Sequence, residues 1–175
     1  MLFGMICEIF PYIETIKSNI MKKLILFIAL IGIGAVAGAQ VSSNALGVRL
    51  YGGDKYDGVE LSYQKGLNDR NRLELDASFG FKSDDTRVAL YAIYHWDWKI
   101  VGGFNWYIGP GASVMYDNFE GNRQVNVGLG GQIGLEYNFR DLPILVSLDA
   151  RPMWDFLGDV NGLGWGGALG LRYTW

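Results

Sequence analysis

The 175-residue chain contains one histidine, His95, in the run Tyr94-His95-Trp96-Asp97-Trp98. Residues two apart on a strand share a face, so Asp97 could orient the His95 imidazole for acid–base work. A serine becomes a nucleophile only beside such a base. No His-x-Ser arrangement accompanies the pair, and a structural histidine hydrogen-bonded to Asp97 is the simpler reading. The lone cysteine is Cys7, so no second histidine or thiol stands ready to complete a zinc-type ligand set. Asp84, Asp85, Asp155 and Asp159 are acidic enough to hold calcium weakly, but they lack EF-hand spacing and read as solvated loop charge. Gly128-x-Gly130-Gly131 and Gly164-x-Gly166-Gly167 are not phosphate loops, because no helix follows to supply amide donors. No catalytic, cofactor-binding or metal-binding residue is therefore assigned.

The other chemistry-bearing residues recur in one phase of an alternating chain. Residues 124–140 are the clearest case. Val125, Val127, Leu129, Ile133, Leu135, Tyr137 and Phe139 occupy one phase, and Gln124, Asn126, Gln132, Glu136, Asn138 and Arg140 the other. A helix would scatter both sets, whereas a strand sends them to opposite faces. The same pattern sets Leu73, Leu75 and Phe79 against Glu74, Asp76 and Ser78. It also places Arg49, Glu60, Asp149, Arg151 and Arg172 among polar positions of their segments. Residues 87–98 are less regular: Arg87, His95 and Asp97 share a face with Tyr91 and Ile93. In 103–116, Gly109-Pro110-Gly111 predicts a bulge or bend, since proline cannot donate to a ladder.

Eight strands follow from this reading. One set of turns falls at 65–71, 99–102 and 140–143, and the loops at the other end fall at 52–57, 82–86, 117–123 and 155–162. An even number of antiparallel strands puts both termini on one side. Ahead of them, Met21-Lys22-Lys23, the 13 apolar residues Leu24–Val36 and Ala37-Gly38-Ala39 have the parts of a secretory signal peptide cleaved after Ala39. That run is short of the ~20 residues a spanning helix needs. The domain organisation is thus a signal peptide at 21–39 and a mature domain at 40–175. Glu8 and Glu14 fit no export signal, so residues 1–20 are either an extension upstream of a true start at Met21 or a genuine but unusual one.

Composition narrows the function classes. The mature stretch carries 12 basic and 16 acidic residues, with no basic cluster for nucleic acid. Half of the full chain is hydrophobic, and 25 glycines accompany 14% aromatic residues. Alternation alone does not say whether the greasy face lies inside a soluble barrel or outside a membrane barrel. Three observations favour the membrane. An eight-stranded barrel has an interior just wide enough for its own side chains, which repeated Leu, Phe, Tyr and Trp would overpack. The polar phase carries both signs of charge and can neutralise itself in a narrow lumen. The rings fall near strand ends, as two girdles about an aliphatic band require.

The chain ends Gly170-Leu171-Arg172-Tyr173-Thr174-Trp175, which resembles the terminal-strand motif of bacterial outer-membrane β-barrels: a glycine, then two alternating aromatics, the last one final. Gly170, Tyr173 and Trp175 carry the match. Ala168 stands where a polar residue is usual, and Trp175 where phenylalanine is usual. The mature length resembles the small eight-stranded group of outer-membrane protein X and the outer-membrane protein A membrane domain. That resemblance implies an all-β, eight-stranded antiparallel up-and-down transmembrane barrel in the bacterial outer membrane. It further implies recognition of the last strand by the barrel assembly machinery and surroundings of outer-membrane lipid, with a monomer as the expected state. Some barrels of this kind modify lipid A. Here, though, the strand order places His95 near the periplasmic turns, away from the outer leaflet. The expectation is a non-enzymatic barrel whose lumen is plugged by a structural network of Arg49, Glu60, Glu74, Asp76, Glu136, Arg140, Asp149, Arg151 and Arg172. Its role would be structural in the envelope or mediated by loops. A narrow channel for small solutes is the alternative, and a lipid A-modifying enzyme comes third.

Overall fold

The computed structural model describes residues 44–82, 85–119, 122–157 and 161–175. Residues 1–43, with the expected cleavage residues Ala37 and Ala39, lie outside them, as do Asp84 and Asp159. Among the described residues all regular structure is strand, in ten segments: β1 Asn44–Gly53, β2 Asp57–Asn68, β3 Asn71–Lys82, β4 Asp85–Val101, β5 Phe104–Phe119, β6 Asn122–Asn138, β7 Ile144–Ala150, β8 Met153–Asp155, β9 Gly162–Gly164 and β10 Gly166–Thr174.

These make eight staves. Strands β1 to β6 pair antiparallel in sequence order, and β7 and β8 both lie against β6 as one stave interrupted at Arg151 and Pro152. Strands β9 and β10 form the eighth, interrupted at Trp165, and β10 returns to pair with β1 from Ala45↔Thr174 to Gly53↔Gly166. Among the described residues, closure leaves no unpaired long edge to seek another chain. Both breaks keep their backbone groups occupied: Gly131 donates to the Pro152 carbonyl at 3.0 Å and Arg151 to that of Gly166 at 2.7 Å, while at the second break Asp54 N–H donates to the Trp165 carbonyl at 3.1 Å.

The alternation resolves inside out relative to a soluble protein. Leu90 and Leu148 are each 62% exposed, whereas Arg49 and Arg172 are 1% exposed. The aliphatic phase of every stave faces outward. On the side of the termini, exposed and half-exposed rings form a belt: Trp98 stacks on Trp106 at 4.5 Å, Phe104 meets Tyr137 at 4.6 Å, and Tyr173 lies 6.1 Å from Trp175. At the other end Phe79, Phe81, Tyr116, Trp154 and Trp165 point outward. An outer wall of this kind is stable against hydrocarbon and not against water.

Two expectations about the strands are corrected. Of the bulge or bend expected at Gly109-Pro110-Gly111, the bulge does not form, for β4 and β5 keep one register from Ile93↔Gly111 to Trp96↔Ile108, and β5 pairs with β6 continuously through the site. The proline costs only the local pairings opposite Tyr94 and His95, because its ring faces outward and the missing donor breaks no register. The register shifts fall instead at Gly66/Asn68 and Lys99/Val101, next to turns. The connections are also shorter than expected. Residues 69–70 join β2 to β3 and residues 102–103 join β4 to β5, where Gly102 takes a φ of 62° that favours glycine.

Candidate functional site

The interior is the candidate site, and the inward phase builds it. Arg49 on β1 is its hub. Its Nη1 lies 2.7 Å from Glu60 Oε2, 3.2 Å from Glu74 Oε1 and 2.6 Å from Asp76 Oδ2, and its Nη2 lies 2.5 Å from Asp149 Oδ1. Arg151, turned inward at the break between β7 and β8, places Nη1 2.9 Å from Glu60 Oε1 and Nη2 2.5 Å from Asp76 Oδ2. Arg172 on β10 reaches Glu74 Oε2 at 2.9 Å, while its other nitrogens donate to Ser62 and Ser147 at 3.0 and 2.8 Å. Gln64 and Gln132 also donate to Glu74, and the Tyr107 hydroxyl donates to Asp149 at 3.1 Å.

Three guanidiniums and four carboxylates therefore meet in mid-barrel, drawn from five staves. Each charge has been taken out of water, which is unfavourable unless opposite charge and hydrogen bonds replace the hydration. The planar guanidinium forks make that replacement possible, since one Arg can face several carboxylates at once.

Glu136 does not join this cluster. It belongs to a second one nearer the termini, where Arg72 Nη2 lies 2.7 Å from Glu136 Oε2 and 3.2 Å from Asp97 Oδ1. Arg72 also donates through Nε to His95 Nδ1 at 3.3 Å, and its guanidinium sits 4.7 Å from the Tyr107 ring centroid. The expected His95–Asp97 hydrogen bond is thus replaced by a shared contact with Arg72. With Nδ1 accepting, the imidazole carries its proton on Nε2, in a fully buried position against Tyr107.

A third cluster lies towards the outer end. Arg87 donates to both oxygens of Asp117, at 2.5 and 3.0 Å, and Lys55 pairs with Asp155 at 2.9 Å. Asp155 is therefore a buried strand residue, not the solvated loop acid that its spacing suggested.

Arg140 is the residue that the network omits. Strand β6 ends at Asn138, and Arg140 lies exposed in the connection to β7, where its guanidinium keeps its water. Lys55, Arg72, Arg87, Asp97, Asp117 and Asp155 join the interior clusters although the assigned network does not include them. Arg72 shares the phase of Glu74 and Asp76, and Asp117 that of Ser113 and Met115, so the period-two pattern already contained the signal. Gly170 faces inward, where a Cβ would come within 2.5 Å of Ser147 Oγ and 2.9 Å of Arg172 Nη1. Tyr173 and Trp175 point outward into the ring belt.

A closed antiparallel barrel of eight staves, apolar outside and charged within, has the architecture of the small outer-membrane β-barrels. Comparison with solved structures gives the same answer. The chain is similar to Neisserial surface protein A (TM-score 0.53, 19% identity, covering 75% of this chain and 95% of that one). It is similar also to the N-terminal β-barrel domain of Pseudomonas aeruginosa OprF (0.54, 19%, 75% and 99%) and to the P. aeruginosa outer membrane protein OprG (0.57, 12%, 81% and 99%). At these identities the likeness is one of fold. No family model matches the chain, and no curated protein matches it.

Proposed function

We propose that this protein is a non-enzymatic scaffold of the bacterial outer membrane, a monomer seated in outer-membrane lipid with its lumen plugged by its own side chains. Its role in the envelope is then structural or carried by its outer loops. One observation carries the reading: Arg49, Arg151 and Arg172 tie carboxylates of β2, β3 and β7 together across mid-barrel. A solute or ion file would have to break several of these buried pairs at once. The non-enzymatic part is supported by His95, whose Nδ1 is occupied by Arg72 and whose ring is enclosed. Export through a signal peptide at 21–39, and reading of Gly170, Tyr173 and Trp175 by the barrel assembly machinery, belong to the same proposal.

The test is planar-bilayer conductance of the refolded protein, after circular dichroism has established its strand content. The expected record is silent. Steady single-channel steps would overturn the plugged reading in favour of the narrow channel and make the lumen charges its selectivity residues.

A further inference from the structure

The connection between β1 and β2 has only three residues, Asp54, Lys55 and Tyr56, yet it makes contacts in two directions across the outer mouth. On one side Asp54 exchanges hydrogen bonds with Trp165: its backbone N–H donates to the Trp165 carbonyl at 3.1 Å, and its Oδ1 accepts from the Trp165 N–H at 3.0 Å. Lys55 reaches further, placing Nζ 2.9 Å from Asp155 Oδ2 on β8 and 3.2 Å from the Gly162 carbonyl on β9. Its aliphatic stem lies over Gly164, where a Cβ would meet the Lys55 Cε at 3.0 Å. On the other side Tyr56 turns inward and is buried, with the Arg87 guanidinium of β4 at 4.4 Å from its ring centroid. Arg87 is held in turn by Asp117 of β5.

Beneath this bridge is a cavity lined by Tyr51, Tyr91, Arg151, Met115 and Met153, with the central charge cluster as its floor. An exposed three-residue turn needs none of these contacts to reverse the chain. A long cationic side chain laid inward onto a buried carboxylate loses rotamer freedom and hydration that it would keep in solvent.

We propose that Asp54–Tyr56 is a strap drawn across part of the outer mouth of the barrel, with Lys55 as its latch onto Asp155. When the latch is lost the strap lifts from β8 and β9, and the buried side chains of Met115 and Met153 beneath it become accessible to the external solution. The strap governs access to the vestibule above the central cluster, whatever passes below it. The strap is independent of the plugged-lumen reading, for a conducting barrel could carry it equally well.

Thiol accessibility tests it. The full chain carrying Cys7→Ser and Met153→Cys has a single reporter thiol in the cavity, and a small water-soluble maleimide is the probe. Met115→Cys gives a second reporter should the first variant melt early by circular dichroism. Adding Lys55→Ala or Asp155→Asn is expected to raise the labelling rate about tenfold, as loss of a charged hydrogen bond implies. Lys55→Arg is expected to restore the slow rate, and raised salt to speed labelling only where Lys55 is present. Labelling at the same rate with and without Lys55, fast or slow, would overturn the strap. Conductance reports on the lumen below, so the two readings fail separately.

Discussion

Arg49 faces Glu60, Glu74, Asp76 and Asp149 from a position 1% exposed, so its removal strands four carboxylates with only Arg151 and Arg172 to answer them. Taking one partner from a buried ion pair costs about 3–5 kcal/mol, because the remaining charge stays buried without compensation. Arg49→Met is expected to destabilise the barrel by about that amount in urea unfolding from lipid vesicles. Arg140→Gln should change stability by no more than ~0.5 kcal/mol, as exposed substitutions do. A large loss at Arg140 would place that side chain back in the network. The two arginines show what the sequence discloses at this scale. Both sit in polar phases of alternating segments, and only the end of the β6 ladder separates them. The alternation runs on through Phe139 to Arg140, but pairing stops at Asn138, where the chain turns towards Pro143. The partners of Glu136 were equally hidden. Phase says that a side chain points inward but not at what height, and height is what assigns Glu136 to Arg72 instead of Arg49.

At the scale of elements, β3 and β6 were legible because their inward positions are polar and their outward ones greasy. Strand β4 was harder, since Ala89 and Ile93 are apolar residues that nonetheless point inward. Periodicity reads an apolar inward residue as a fault, whereas the lumen accepts it wherever no charge needs an answer. The glycines of β5 carried a signal of a different kind. At Gly109 on β5 an added Cβ would lie 1.6 Å from the Tyr94 carbonyl oxygen of β4. That neighbour is backbone and cannot swing aside, so Gly109→Ala must push the two strands apart next to the proline gap. A cost of about 1–3 kcal/mol follows from forced overpacking. Gly167→Ala is the matched control, because its Cβ would find its nearest neighbour at 3.5 Å, an ordinary contact. Equal unfolding midpoints for the two variants would mean that the β4–β5 approach is looser than the register implies. The inward Gly170 belongs to the same argument, since clearance for Arg172 and Ser147 by itself calls for a glycine there.

For the whole molecule, the decisive property is the inversion of polarity between wall and lumen, and it sets the medium in which the barrel is stable. A charged residue on the lipid-facing wall is penalised according to depth, by about 2–4 kcal/mol at the bilayer midplane and about 0–1 kcal/mol near an interface. Leu148 faces outward at 62% exposure and is paired with Leu135 and Leu169 in the aliphatic band. Phe81 faces outward in the ring set at the far end, at 57% exposure. In water both positions would accept arginine with little change, since the guanidinium would stay solvated. In lipid vesicles Leu148→Arg is expected to lose about 2–4 kcal/mol and Phe81→Arg about 1 kcal/mol or less. The contrast isolates the bilayer from the fold, because the two substitutions are chemically alike and neither touches the central cluster. A flat response across both positions would remove the membrane from the account and leave a soluble barrel with an unexplained apolar wall.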